Sequence, residues 1–448
     1  LAKDSPEYLY MQKCREALGG PLHRRNTKAE PLTVPSLSDF EALLKAGGEG
    51  HEFSTTMVFV RILNILVKNK QIGKHVVPIV ADESRTFGME GMFRQLGIWS
   101  SVGQLYTPQD ADQLMYYKED KNGQILQEGI NEAGAMSSWI AAATSYSTHG
   151  VQMIPFFIFY SMFGFQRIGD LAWAAGDLRC RGFLLGGTAG RTTLNGEGLQ
   201  HEDGHSHLLA STIPNCVSYD PAFGYELAVI VQDGLRRMYQ EQEDIYYYIT
   251  VMNENYAHPA MPKGAEKDIL KGMYLLRESK NNQALHVQLL GAGTILREVI
   301  AAAEILEKDY NITADIWSVT SFNELRREAL DVSRWNMLHP DQPEKLSHVG
   351  NCLKSSHCPV IAASDYMKIY ADQIREFVPG KYRVLGTDGF GRSDTREKLR
   401  HFFEVDRYYI VVATLKTLAE DGKIANEKVT QAIRQFGIDP DKPNPTTV

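Results

Sequence analysis

Four groups of residues in this sequence have types and spacings that suit chemistry, and the first is a single carboxylate. Glu132 lies in Gln127-Glu128-Gly129-Ile130-Asn131-Glu132-Ala133-Gly134 and is followed by small and apolar residues through Trp139 to Ala143. That pattern reads as a buried helix packed closely on a neighbour. The acid is therefore expected to enter an interior helix, in surroundings short of other charge. A carboxylate so placed is either a first-turn partner of the helix dipole or a group whose proton affinity burial has raised for acid–base work. Taken alone, the first is the commoner case.

Asp82 and Glu83 come second. They stand where the apolar run 76–81 ends, the place where a buried parallel strand delivers polar groups to a crevice, or where it simply runs into a solvated loop. The third group is His201, Asp203, His205 and His207, in a stretch that also holds Gly196, Gly198 and Gly204. It suits a polar pocket wall whose groups titrate near neutrality. His201-Glu202-Asp203-Gly204-His205 also fits the zinc signature His-Glu-x-x-His, but the glycines and the lack of an apolar stripe argue against a helix there, and no metal site is expected. In the fourth group, Asp388 and Arg392 occupy a strand-end loop at 386–394 and could meet a ligand or partner. Asp394 with Glu397 reads as a capping box, so loop and cap chemistry accounts for most of that stretch.

Other sets are weaker. Residues 187–193 imitate a phosphate loop without its Lys or its glycine interval. Gly291-Ala292-Gly293-Thr294-Ile295-Leu296 has two of three dinucleotide glycines and no acid at the end of the next strand, so a tight strand-to-helix turn explains it. His348, Cys352, His357 and Cys358 have the wrong spacing for a metal set and read as surface residues beside a buried strand.

The elements that must hold these groups alternate between strand and helix. Apolar runs predict strands at 76–81, 154–160, 183–187 and 245–250, with helices at 53–70, 167–175 and 225–239. Pro259, Pro262 and Gly264 then mark a linker. Strands at 287–290, 314–319, 360–363 and 382–385 follow, with helices at 295–308, 365–376, 395–403 and 426–436. This is the pattern of two α/β domains with mainly parallel, helix-covered sheets. Residues 101–124 read as a surface excursion or a mobile lid. Residues 1–50 hold little periodic structure, and a fragment, a cleaved chain or the second half of a split gene is expected.

Composition narrows the function classes. The 448 residues exceed one ordinary core. A net charge of −8 leaves no basic surplus for nucleic acid. No apolar run reaches the roughly 18 to 20 residues of a membrane helix. Five scattered cysteines fit reduced thiols in a cytoplasm.

With these residues in place, four stretches carry a resemblance: 81–91 (Ala-Asp-Glu-Ser-Arg-Thr-Phe-Gly-Met-Glu-Gly), 128–132 (Glu-Gly-Ile-Asn-Glu), 160–167 (Tyr-Ser-Met-Phe-Gly-Phe-Gln-Arg) and 195–207, from Asn195-Gly196-Glu197 to His205-Ser206-His207. The chain resembles, from end to end, the carboxyl-terminal half of the homodimeric bacterial pyruvate dehydrogenase component, and more distantly transketolase. The resemblance implies a strap at 1–51, a thiamine pyrimidine-binding domain at 52–262 and a transketolase-type carboxyl-terminal domain at 263–448. It implies thiamine diphosphate and Mg²⁺ as cofactors, and oxidative decarboxylation of pyruvate with acetylation of a lipoyl group. It places Glu132 against N1′ of the aminopyrimidine, Phe163 as the stacking ring, and Ile130 and Arg167 in the same pocket. Asp82 and Glu83 match acids near the cofactor and the proton path, and Tyr160 and His201 match positions facing substrate. The partners implied are a second subunit and a lipoyl-bearing dihydrolipoyl acetyltransferase.

One departure bears on activity. The family anchors the diphosphate and Mg²⁺ with Gly-Asp-Gly followed by Asn, and this sequence has no such segment, so an amino-terminal diphosphate-binding half is expected as a further partner. A transketolase, a catalytically incomplete assembly module and, last, a zinc hydrolase are the competing expectations.

Overall fold

Apolar runs bounded by turns become the strands of two sheets. The computed structural model describes residues 1–20, 26–45, 47, 51–81, 84–109, 117–279, 285–354 and 358–448. Six strands, Val76–Val80, Leu126–Gln127, Ile154–Tyr160, Phe183–Gly187, Cys216–Tyr219 and Tyr246–Thr250, form the first sheet. Leu126–Gln127 is one edge, followed by Val76–Val80, Ile154–Tyr160, Phe183–Gly187 and Tyr246–Thr250, with Cys216–Tyr219 as the other edge. Every ladder is parallel. The strands read as continuous apolar runs because both faces are covered. Phe156, Ile158, Phe183 and Leu185 point to one side, onto Val58, Ile62, Leu227 and Ile230 of helices Thr55–Lys68 and Gly224–Leu235. Phe157, Phe159 and Leu184 point to the other, onto Met136, Trp139 and Ile168 of helices Glu132–Ala143 and Gly164–Asp177. Ser54 caps the first of these helices, accepting from the Met57 N–H at 3.2 Å.

The second sheet runs Met273–Arg277, Ile312–Val319, Leu285–Gly291, Val360–Ala363, Tyr382–Leu385. The last four are parallel, and Met273–Arg277 is antiparallel to Ile312–Val319. Helices Leu296–Tyr310 and Arg407–Glu420 cover one face, and Phe322–Leu338 lies over the other. Residues of both sheets belong to one apolar cluster, so the halves share a core.

Several expectations are corrected. The helix expected at 365–376 is only Lys368–Asp372 with a 3₁₀ turn at Arg375–Phe377, because the backbone before it is bonded elsewhere: the Tyr366 carbonyl accepts from the Thr387 N–H and the Met367 N–H donates to the Gly204 carbonyl, both at 2.8 Å. Residues 1–50 contain a helix, Pro6–Ala17, which buries none of its residues and so shows no apolar stripe. The cap of helix Arg396–Phe402 is Thr395 rather than Asp394: its hydroxyl accepts from the Lys398 N–H. His348 is buried, its Nε2 2.9 Å from the Met273 carbonyl, not at the surface. His357 lies outside the described residues, as does part of 101–124. The glycines at 291–293 do form a tight turn into helix Leu296–Tyr310.

An extended segment after residue 26 crosses the amino ends of the first sheet. Asn26 N–H donates to the Ser147 carbonyl and Leu32 N–H to that of Tyr239, while Gln242 exchanges hydrogen bonds with both backbone groups of Ala29 at 2.9 and 3.0 Å. Among the described residues no helix is long and apolar enough to cross a membrane.

Candidate active site

Parallel strands deliver the residues that follow them to one edge of the sheet, and here three neighbouring strands do so together. Tyr160 ends Ile154–Tyr160 and pairs with Gly187, the end of Phe183–Gly187. Phe163 opens helix Gly164–Asp177, and Arg167 lies one turn along it. His201 comes from the glycine-rich segment after Phe183–Gly187. Rings of Tyr160 and His201 meet edge-to-face with centroids 4.9 Å apart, those of Phe163 and His201 at 5.3 Å, and those of Tyr160 and Phe163 at 5.9 Å. The Tyr160 hydroxyl lies 3.3 Å from Thr86 Oγ1, in the loop after Val76–Val80.

Glu132 reaches the same crevice from the fourth strand, Leu126–Gln127. It is the first residue of helix Glu132–Ala143, whose Asn131 side chain caps the Gly134 N–H at 3.0 Å. The expectation of surroundings short of charge is overturned: Arg167 Nη1 donates to Glu132 Oε1 at 2.6 Å, and its guanidinium sits 4.2 Å from the centre of the Phe163 ring. The helix is also less interior than expected. It buries Ala135, Met136, Trp139 and Ala143 but leaves Ala133, Ser137 and Ala141 exposed. Ile130, beside Glu132, is 73% exposed, an apolar side chain left on the open rim.

Glu132, Ile130, Tyr160, Phe163, Arg167 and His201 are thus brought to one crevice. Asp82 and Glu83 lie outside the described residues. The histidine cluster does not act as one wall. His201 is at the crevice, with Nδ1 3.7 Å from Glu197 Oε2. His205 points at Gln166, Nε2 to Nε2 3.1 Å. His207 is fully buried against Tyr248, Tyr366 and Tyr370, and burial pushes its pKa down to about 4. Asp203 is committed to the turn, accepting from the backbone of His205 and Ser206 at 2.9 Å. Asp388 is held within the second half, and Arg392 reaches the first half through its backbone, its guanidinium lying 5.4 Å from the centre of the Phe402 ring. Asp388 accepts from the Lys368 N–H at 3.0 Å, and the Arg392 N–H donates to Glu202 at 2.7 Å.

Two features had no signal in the sequence. Thr188, at the end of Phe183–Gly187, has φ +52°, a strained conformation for a β-branched residue. Asp220 and Asp365, fully buried, and the buried Glu202 are pushed up to about 7, burial being the first cause for each. Their partners are distant in sequence: Thr250 and Tyr366 for Asp220, Thr192 for Asp365, Arg392 for Glu202.

His201 Nδ1, at the crevice, is buried without a hydrogen-bond partner among the described residues, as are Ser84 Oγ, Ser161 Oγ and Thr188 Oγ1 in the segments that follow the three neighbouring strands. An orphaned ring nitrogen beside an aromatic wall and a carboxylate suits a flat, nitrogen-bearing ring. No group of three or more His, Cys, Asp or Glu side chains among the described residues is placed to hold a metal ion.

Residues 32–259 match the family of the pyruvate dehydrogenase E1 component middle domain, and residues 272–406 match the transketolase-like TK C-terminal domain. The chain is 68% identical over 445 residues to the pyruvate dehydrogenase E1 component of Cupriavidus necator, covering 99% of this chain and 50% of that protein. It is 66% identical over 442 residues to that of Pseudomonas aeruginosa, covering 98% and 50%. The chain therefore spans about half the length of the curated relatives it matches. A transketolase from Pichia stipitis superposes with a TM-score of 0.62 at 14% identity, over 94% of this chain and 52% of that one, which shows the fold.

Proposed function

Because this chain belongs to the pyruvate dehydrogenase E1 component family, matched by its middle domain, we propose that it is the carboxyl-terminal half of a thiamine diphosphate-dependent pyruvate dehydrogenase. The reaction is oxidative decarboxylation of pyruvate with reductive acetylation of a lipoyl group. The observation that carries this reading is the Glu132–Arg167–Phe163 arrangement facing Tyr160 and His201 in one crevice.

When bound, thiamine diphosphate supplies a thiazolium that accepts the electron pair left as carbon dioxide departs. Glu132 holds N1′ of the aminopyrimidine and sets where that ring keeps its proton. Arg167 occupies Oε1 of Glu132, and Oε2 would remain to hold the ring nitrogen. Phe163, with Arg167 over its ring, would stack on the pyrimidine. Ile130 closes the apolar rim. His201 and Tyr160 orient the keto acid and exchange protons with it; the roles of Asp82 at the cofactor and of Glu83 on the proton path rest on the resemblance of residues 81–91 alone.

These residues fit the pyrimidine end of the cofactor and not its diphosphate or Mg²⁺. Those ligands are assigned to a separate diphosphate-binding half, and the site to a homodimer in which halves of different subunits meet. A lipoyl-bearing dihydrolipoyl acetyltransferase receives the acetyl group, in the cytoplasm.

The test is calorimetry of thiamine diphosphate with Mg²⁺ on this chain alone and after mixing with the amino-terminal half of a relative. Tight binding and pyruvate-dependent reduction of an artificial electron acceptor, both appearing only in the mixture, support the proposal. No binding by the folded mixture would leave an assembly module instead.

A further inference from the structure

Away from the crevice, a cavity of about 670 Å³ opens where Glu254 meets helices Leu296–Tyr310, Arg396–Phe402 and Arg407–Glu420. Five fixed cations, Arg297, Arg396, Lys398, Arg400 and Arg407, line it against four carboxylates, in a chain whose net charge is −8.

Most of those carboxylates are committed. Glu254 takes Arg297 at 2.5 Å and also Arg400. Glu298 binds Arg407 through both oxygens at 2.9 and 3.0 Å and faces Arg400 at 3.6 Å. Two carboxylates thus serve three guanidinium groups. Asp406 caps its helix with Oδ1, and its Oδ2 meets His401 Nδ1 at 2.9 Å. The helix amino terminus is therefore already satisfied and is not itself an anion site. Glu397 is the fourth carboxylate, exposed and outside this network.

Arg396 and Lys398 are left over. Among the described residues neither meets a carboxylate, and the Arg396 Nε–H goes only to the Thr193 carbonyl. Burial, with Arg400 and Arg297 close by, holds the Arg396 guanidinium below the ordinary arginine range even against the opposing pull of Glu254. On the rim, the rings of Tyr408 and Phe436 lie 4.9 Å apart at 35°.

Guanidinium forks match phosphate oxygens in pairs, and an adjacent pair of aromatic rings gives a planar group a surface to stack on. We propose that this cavity binds a metabolite carrying a di- or triphosphate on a planar ring, with Arg396 and Lys398 on the phosphates and Tyr408 and Phe436 against the ring. A ligand there touches Glu254, which follows the first sheet, and helices of the second, so it braces the two halves against each other.

The experiment is calorimetric titration of the chain with inorganic triphosphate and with ATP, in the unchanged protein and in Lys398→Gln, Arg396→Gln and Tyr408→Ala. Lys398 is exposed, so Lys398→Gln tests the site without disturbing the fold. Both probes are expected to bind, Lys398→Gln and Arg396→Gln to weaken both by about tenfold each, the scale of one ionic contact, and Tyr408→Ala to weaken ATP alone. Absence of binding at millimolar probe overturns the proposal, and so does binding by Lys398→Gln that matches the unchanged chain.

Discussion

Arg167 Nη1 lies 2.6 Å from Glu132 Oε1 while the same guanidinium rests 4.2 Å from the centre of the Phe163 ring. One cation thereby fixes the two groups assigned to the cofactor ring, an acid and an aromatic face, relative to each other. The Arg167 side chain is 47% exposed and that of Glu132 12%. A pair so open to water contributes about 0–1 kcal/mol to stability. Its consequence is orientation.

Glu132→Gln keeps the shape and the hydrogen-bonding reach but not the carboxylate. Turnover of pyruvate by the reconstituted halves is expected to fall by at least about a hundredfold, the scale of a lost acid–base contribution, with weaker thiamine diphosphate binding. Near-normal turnover by a folded variant would contradict the role given to Glu132.

Arg167→Met removes the guanidinium and keeps much of the side-chain volume. Thermal stability should change by less than about 1 kcal/mol, whereas cofactor affinity should drop roughly tenfold. A large loss of stability with unchanged affinity would make Arg167 a structural residue.

Phe163→Leu keeps an apolar side chain while deleting the ring that meets Tyr160, His201 and Arg167. Loss of stacking worth about 1 kcal/mol predicts a several-fold rise in the thiamine diphosphate dissociation constant, read by calorimetry, with circular dichroism unchanged.

Stability should fall above neutrality. Asp220, Asp365 and Glu202 are pushed up to about 7 by burial, so each holds its proton more tightly folded than unfolded. The stabilisation is complete below the ordinary carboxyl range and is lost as pH rises through about 7. His207 acts in the opposite sense: pushed down from 6.5 to about 4, it is lost as a stabiliser when pH falls through that range. Thermal melts are expected to show a lower Tm at pH 8 than at pH 6. Asp220→Asn and Asp365→Asn should each shrink the accompanying difference in unfolding free energy by about 1 kcal/mol. An unchanged pH profile in both variants would count against the assignment.

Gly190→Ala should destabilise the seam between the sheets. Gly190 has φ +89°, and a Cβ there would run into Asp365 Oδ2, combining backbone strain with a clash against a buried carboxyl. A loss of about 2–4 kcal/mol in denaturant unfolding is expected; a neutral effect would mean that Asp365 can turn aside.

Much of the sheet framework was legible because buried parallel strands are unbroken apolar runs. Val76–Val80, Ile154–Tyr160, Phe183–Gly187 and Val360–Ala363 stand out for that reason. Cys216–Tyr219, which ends in a polar pair, and Met273–Arg277, an antiparallel edge with one exposed end, do not. Helix Phe322–Leu338 escaped notice because only Phe322, Asn323, Leu325 and Ala329 of its residues are buried. At the crevice, Glu132 and His201 were visible as chemistry-bearing types in unusual surroundings. The separation of His207 from His201 was not, since it depends on Tyr366 and Tyr370, more than 150 residues away. Nor does local pattern reveal the acids at 202, 220 and 365, whose raised proton affinity comes from long-range burial.

The all-parallel first sheet also governs the order in which this chain acquires structure. A parallel ladder cannot close through a tight turn, so each pairing waits for a crossover to be synthesised and collapsed. Ile154–Tyr160 and Phe183–Gly187 are the neighbouring strands closest in sequence. They form the natural nucleus, with Phe156 stacked on Phe183 at 4.5 Å. Phe183–Gly187 must then wait for Tyr246–Thr250 before its second edge is covered. During that interval an apolar edge stands open to other nascent chains, which makes slow synthesis or a truncated product in the 190–245 region the point of greatest aggregation risk.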